Sequence, residues 1–313
     1  MDLPVCEHGT MSETTLRVGT FTPSVLMELA RRRGDFQRAG LNVDEMSVVS
    51  SPAQFRSLSH GELDVALTSP DNVLAYQFLS HNPLGQRLRL RVLNALDRGT
   101  GLSLCLASHV ASIDQVRGAT VGVDVATSGF AFVAYALLES HGLARDAYQV
   151  DALGSTPLRA RALIKGDCAA TVLNAGNELR AQSAGCRIVA TVSEIGPYLG
   201  TVVATMADLG AQWREASERF ASVMLAVSRD VVAGVLDAQT ITAAQSVLGI
   251  TAVEAASHLA VLKDPVTGLV PDGRVDAASI ATLVSLRRAY LDSPELDGVL
   301  DSLADVVRDG ALA

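Results

Sequence analysis

Apolar positions along the chain alternate between two periods. Leu16-Arg17-Val18-Gly19-Thr20 has the every-other-residue pattern of a strand, whereas Val25, Leu26, Leu29, Ala30 and Phe36 recur at helical spacing and predict a helix over Ser24 to Arg38. Gly40-Leu41 supplies the left-handed stop, after which Val43, Met46, Val48 and Val49 predict a second strand. Ser51-Pro52 opens a helix through Leu58, Gly61 ends it, and Leu63 to Thr68 reads as a third strand. Strand, helix, strand, helix, strand argues for a parallel sheet with helices on its faces.

The same plan returns about a hundred residues later. Ala119 to Val123 is a strand, Gly129 to Ser140 a helix, Gly142-Leu143 a stop, Tyr148 to Val150 a strand, Pro157 to Ile164 a helix and Ala169 to Leu173 a strand. Gly19 and Gly40 are 21 positions apart, Gly122 and Gly142 are 20, and Gly61-Glu62-Leu63-Asp64 has its counterpart in Gly166-Asp167-Cys168-Ala169. Two lobes on one plan follow. Leu88 to Cys105, broken at Asp97-Arg98-Gly99-Thr100-Gly101, reads as one crossing between them, and Tyr198 to Met206 as a second, after a helix near Glu178 to Ala184 and a strand at Arg187 to Thr191. Two crossings make a hinge. The expected division is a flexible segment 1–14, a first lobe 15–98, a second lobe 99–200, and a return to the first lobe over 201–313. That last stretch is mostly helical and is expected to brace the outside of the lobes.

Composition narrows the function. The 313 residues are 49% hydrophobic but only 4% aromatic, so the core is built from Ala, Val and Leu. A formal charge of −9, with no basic run interleaved with aromatics, argues against nucleic acid. No run of 18 apolar residues predicts a membrane span. Cys6, Cys105, Cys168 and Cys186 lack metal-ligand spacing and read as buried or free thiols, so neither a metal nor a cofactor is expected. Met1 to Arg17 lacks a basic opening and an apolar segment, and Cys6 only faintly has the setting of a lipoprotein cleavage site. The sequence as it stands is therefore expected in the cytoplasm, or in the periplasm or outside the cell if a signal has been removed.

Gly34-Asp35-Phe36 with Ala39 to Val43, Gly61 to Ala66 and Gly118 to Val123, in this order and spacing, resemble the type 2 periplasmic binding proteins. The chain is similar to the binding proteins of sulfonate, nitrate and taurine importers and to the fold-related thiamine pyrimidine precursor synthases, from about Leu16 to Met206. The resemblance implies an α/β fold of two hinged lobes closing on a small anionic or heteroaromatic ligand, and an ABC permease as partner if the protein is exported. It implies ligand contacts from the loops after the strands: Thr20, Phe21, Thr22 and Ser24; Ser69, Asp71 and Asn72; Thr127, Ser128 and Gly129; Asn174 and Asn177; and Arg98 and Tyr198 near the crossings. It departs from the family at Ala169, where an Asp is expected, and in lacking a secretion signal.

Each candidate also has a plainer use. The turn at Ala126-Thr127-Ser128-Gly129 offers free N–H groups at the positive end of a helix, suited to a carboxylate, sulfonate or phosphate, but Thr127 or Ser128 equally serves as a helix cap. Asn72, Asn174 and Asn177 suit a polar ligand or a turn. Arg98 suits an anion or a salt bridge to Asp97, and Phe21 and Tyr198 suit a planar ligand or the core. The alternative to a binding protein is an enzyme on the same scaffold, of desulfinase, decarboxylase or hydrolase type, with Ser24 as nucleophile and His60 or Asp71 as base. A ligand-gated sensor or scaffold is the third reading. No Gly-x-Ser-x-Gly, phosphate-binding loop or His-Glu-x-x-His motif supports catalysis, and the iron-binding cysteines of the precursor synthases have no counterpart.

Overall fold

The computed structural model describes residues 13–313, so Cys6 and most of the segment 1–14 lie outside the described residues. Two five-stranded sheets form the two lobes. The first carries β1 (Thr14–Thr20), β2 (Leu41–Ser47), β3 (Val65–Thr68), β4 (Leu90–Asp97) and β10 (Thr201–Met206) in the order β2-β1-β3-β10-β4. The second carries β5 (Ser103–Leu106), β6 (Thr120–Val123), β7 (Gln149–Ala152), β8 (Ala170–Leu173) and β9 (Arg187–Thr191) in the order β7-β6-β8-β5-β9. Three strands of each sheet are parallel, and β10 and β4, or β5 and β9, extend it with antiparallel pairings. The sheets are thus mixed: the parallel units read from the sequence form part of each, and the strand that enters a lobe at a crossing, β5 or β10, runs against the rest.

Between strands run α1 (Val25–Arg33), α2 (Asp35–Arg38), α3 (Ser51–Ser59) and α4 (Pro70–Phe78) in the first lobe, and α5 (Gly129–Ser140), α6 (Thr156–Lys165) and α7 (Asn177–Ser183) in the second. The helix predicted over Ser24 to Arg38 is two helices. Gly34 takes a left-handed φ of 71°, and its N–H closes α1 on Ala30 and Arg31 before α2 begins. From β10 the chain continues into α8 (Ala211–Val232), α9 (Asp237–Leu248), α10 (Ala252–Lys263) and α11 (Ala277–Tyr290). Helix α8 packs on the first lobe, with Phe220 stacked on Phe36 at 5.6 Å.

The two halves share a backbone contact at equivalent positions. Asp64 N–H donates to Arg17 O at 2.9 Å, and Ala169 N–H donates to Thr120 O at 2.8 Å, so the two positions are equivalent. Strand glycines Gly19 and Gly122 are likewise matched: a Cβ on the first would lie 2.5 Å from Leu63, and on the second 3.1 Å from Cys168 and 2.7 Å from Leu153. The same equivalence explains the departure at Ala169. Asp64 accepts two side-chain bonds from Arg17, at 3.0 and 2.8 Å, whereas Thr120 stands where Arg17 would be, and a carboxylate at 169 would have no guanidinium to meet.

The crossings lie side by side. Gly200 N–H donates to Asp97 O at 2.9 Å, and a Cβ on Gly200 would fall 2.4 Å from Gly99. Asp97 pins the pair: its Oδ1 accepts from Gly99 N–H at 2.8 Å, and the hydroxyls of Thr201 and Thr100 lie within reach. Burial raises this carboxyl, and those bonds pull it back. Away from the hinge the lobes also touch. Tyr290 on α11 donates to Glu139 on α5 at 2.5 Å and stacks on Phe132 at 5.8 Å.

Candidate functional site

A cavity of about 150 Å³ lies between the lobes. Four helices open on it, and each begins with a serine: Ser24 before α1, Ser69 before α4, Ser128 before α5 and Ser155 before α6. Ser24, Ser69 and Ser128 accept from Met27, Asp71 and Ala131 N–H, respectively, so these hydroxyls do the capping that their sequence position suggests. The remaining first-turn amides carry partial positive charge, and four such ends converge on one small space. Glu45 steadies the first loop, accepting from Ser24 N–H at 2.7 Å and Thr20 hydroxyl at 3.0 Å. Burial raises its carboxyl, and these bonds offset part of the rise.

Of the residues expected from the sequence, Thr20, Phe21, Thr22, Ser24, Ser69, Asn72, Ser128, Gly129 and Asn174 line this cavity. Asn72 donates to Thr68 hydroxyl at 3.0 Å and Asn174 to Gly99 O at 3.2 Å, which leaves the amide oxygens free to face a ligand. Five others are elsewhere. Asp71 is buried in a two-pronged pair with Arg287, whose Nε and Nη2 donate to it at 2.9 and 2.5 Å. It is an internal anchor: each of its oxygens is engaged by Arg287, its charge is neutralised there, and it does not line the cavity. Arg98 turns to Asp276 at 3.2 Å, not to the cavity and not to Asp97, whose carboxylate is held by the hinge. Tyr198 is core, packed on Gly99 with its hydroxyl near Ser69. Thr127 is exposed and lines a separate, smaller pocket, one residue ahead of the cap that faces the cavity. Asn177 bonds Asn174 O at 2.9 Å and, across the cleft, Thr22 hydroxyl at 3.4 Å, so it ties the lobes together.

The trio Ser24, His60 and Asp71 is not assembled. His60 is an exposed residue at the end of α3, Asp71 is held by Arg287, and only Ser24 reaches the cavity. Nucleophile and base must meet to react, and these do not.

The sequence reading missed Arg159, Asp124, Ser155 and His258, which also line the cavity. Arg159 is 1% exposed. Its Nη1 donates to Gly154 O at 2.6 Å and Nη2 to Thr156 hydroxyl at 3.1 Å and Val172 O at 3.3 Å, while Nε has no partner. No carboxylate lies within 4 Å of it among the described residues. Burial lowers its affinity for the proton, and the more distant Asp124 works the other way. The signal was in the helical phase: Thr156, Arg159, Ala160 and Leu163 share the inward face of α6, so a charged residue stands on an otherwise apolar face. His258 comes from α10, one of the helices expected only to brace the outside, and α9 and α10 add Leu248 and Leu262 to an apolar wall with Leu67, Leu96 and Leu269. Burial brings its imidazole down to about 4.

With the geometry in hand, solved structures decide the fold. The alkanesulfonate-binding protein SsuA of Xanthomonas axonopodis pv. citri, bound to MOPS, superposes with a TM-score of 0.69 at 14% identity, over 96% of this chain and 98% of that one. This chain has the periplasmic-binding-protein fold. The nitrate-binding protein NrtA of Synechocystis PCC 6803 matches with a TM-score of 0.73 at 12% identity over 94% and 86% of the two chains. The Candida albicans CA3427 product, described as having the generic periplasmic-binding-protein fold, matches with a TM-score of 0.71 at 15% identity over 96% and 97%. No protein-family model matches the sequence, and no curated protein is significantly similar to it. In this fold the cavity occupies the crevice at the carboxyl ends of β1, β3, β6 and β7, where open α/β sheets take their ligands. Among the described residues no cluster of His, Cys, Asp or Glu could hold a metal ion, Cys105, Cys168 and Cys186 are buried free thiols, and no single helix is long and apolar enough to cross a membrane.

Proposed function

We propose that the chain is a solute-binding protein that closes its lobes around a small organic molecule bearing an acidic group. The observation that carries this reading is Arg159: a guanidinium buried at the cavity wall, with no carboxylate within 4 Å and its Nε unpartnered, is suited to an acidic ligand that brings negative charge closer than Asp124 does. Helices α5 and α6 aim their positive ends at the same space, which strengthens the demand. A cavity of about 150 Å³ takes a ligand of roughly six to ten non-hydrogen atoms, and the leucine wall asks that part of it be apolar. Neighbours named for binding alkanesulfonate and nitrate fit an acid-binding role, and others named as the periplasmic sulfonate-binding protein of a putative sulfonate ABC transporter and as the ligand-binding component of an ABC-type import system make delivery to an ABC permease, and hence work outside the cytoplasmic membrane, the matching biological setting. On this reading the lobes divide at the crossings near 98 and 200.

The test is a thermal-shift screen of small sulfonates and carboxylates. Ligands that raise the melting temperature should be recovered unchanged by mass spectrometry, and Arg159→Met should weaken them about tenfold to a hundredfold, the worth of one charge-assisted contact of about 1.5–3 kcal/mol, while keeping the fold. Chemical conversion of a hit, or full affinity in Arg159→Met, would overturn the proposal.

A further inference from the structure

The smaller pocket that Thr127 lines holds about 50 Å³ and is bordered by both lobes: Ser51, Tyr76, His81 and Asn82 of the first, Thr127 of the second, and Arg287 from α11. Asn72 and Ser128 line this pocket and the larger cavity alike, and so form the wall between them. Two of its side chains are deeply buried and short of partners. Tyr76 is 1% exposed, and its hydroxyl has no hydrogen bond of good geometry, with Ser51 nearby. Burial pushes this phenol up to about 12, so it stays protonated and able to donate. Arg287 is 2% exposed; Asp71 takes its Nε and Nη2, and its Nη1 makes no hydrogen bond among the described residues. Buried donors of this kind ordinarily find an acceptor.

We infer that this pocket is a second binding site, for a small anion such as a halide or formate, held by Arg287 Nη1 and the Tyr76 hydroxyl. No carboxylate lines it among the described residues, and His81, exposed at its edge, adds a group able to carry positive charge. The Asn82 amide is spent within its own loop: Nδ2 donates to Leu79 O and Gln86 O at 2.8 and 2.7 Å, and Oδ1 accepts from Leu84 N–H at 2.9 Å. Arg287 then stands between two anions, Asp71 on one edge of its fork and the bound ion at the remaining nitrogen, which its five donors allow. Size sets the upper limit: about 50 Å³ is room for roughly three or four waters, and so for an ion of about four non-hydrogen atoms at most. The inference is independent of the solute-binding reading and of what fills the larger cavity.

Bromide is the probe, since it is monatomic and its anomalous scattering locates it. Crystals soaked in bromide should show an anomalous peak within hydrogen-bond reach of Arg287 Nη1 and the Tyr76 hydroxyl. In solution, with ionic strength held constant by bulky gluconate, bromide should raise the melting temperature along a saturating curve. Tyr76→Phe keeps the ring stacked on Phe55 at 4.1 Å and loses only the donor. It should fold as the wild type does and need about tenfold more bromide for half-saturation, whereas Arg159→Met, altered in the larger cavity, should keep the wild-type curve. A peak in the larger cavity alone, no saturating rise, an unchanged curve in Tyr76→Phe, or a curve lost in Arg159→Met overturns the inference. Each of these results leaves the solute-binding reading standing, because that reading is judged on organic acids and on Arg159.

Discussion

Replacing Glu178 with Gln should make the protein more resistant to mild alkali. Glu178 lies in the first turn of α7 and is 2% exposed. It faces Gly101 of the first crossing and Val261 of α10: a Cβ placed on Gly101 would sit 3.1 Å from the carboxylate and 3.2 Å from Val261. Neither carboxylate oxygen has a hydrogen bond of good geometry, and the nearby N–H groups of Gly176 and Glu178 offset only part of the burial, which pushes this acid from the ordinary 4.5 up to about 8. Between those values the folded protein keeps a proton that the unfolded chain has released, so stability falls as pH rises, by about 1.4 kcal/mol per unit. His258 opposes this at lower pH. Its imidazole sits at about 4 in the fold against 6.5 when free, so stability rises with pH between those values, and the two slopes cancel from 4.5 to 6.5. From pH 6.5 to 8.0 Glu178, of these two, is the one that still contributes, and 1.5 units at this slope come to about 2 kcal/mol. Urea denaturation of both proteins at pH 6.5 and 8.0 measures it: the wild type should lose about 2 kcal/mol more than Glu178→Gln over this interval. Parallel losses in the two proteins would refute the argument.

Three further outcomes follow from the same geometry. Gly129→Ala places a methyl 2.6 Å from the Asp71 carboxylate on the opposite lobe; it should hold the lobes apart, lowering affinity for the ligand about tenfold through roughly 1–3 kcal/mol of overpacking, as titration calorimetry would show. Asp71→Asn leaves the Arg287 guanidinium buried beside Phe132 without its counter-charge, and should lose about 3–5 kcal/mol of stability in chemical denaturation. Gly200→Ala, whose Cβ would fall 2.4 Å from Gly99, should wedge the crossings apart and widen the solution envelope seen by small-angle scattering; an unchanged envelope would show that the crossings yield.

Much of the architecture was legible because a strand, a capped helix and a glycine stop each leave local marks. Helix α5 is predicted to the residue, since Ser128 caps it and its apolar run is bounded by polar Glu139 and Ser140. The break at Gly34 was not read, because the helical period continues to Phe36 and only the left-handed backbone at Gly34 separates the two helices. Ser24, Ser69 and Ser128 reach the cavity for the reason that makes them caps: a residue that caps a helix at the end of a strand stands at the sheet's carboxyl edge. Ser155-Thr156-Pro157 carries the same mark and was open to the same reading.

The sequence by itself determined the elements, their repeat and the edge on which a ligand would rest, since each follows from short-range sterics and the period of apolar residues. Which charges face that ligand was decided only by the tertiary structure. Asp71 and Arg287 are 216 residues apart, Arg98 and Asp276 are 178 apart, and each pairing removes a candidate from the cavity. Arg159 remains because no carboxylate folds against it, and His258 arrives because α10 packs over the cleft as well as on the first lobe. A charge acts through whatever the fold brings within a few ångströms, and that distance is not written in the local sequence.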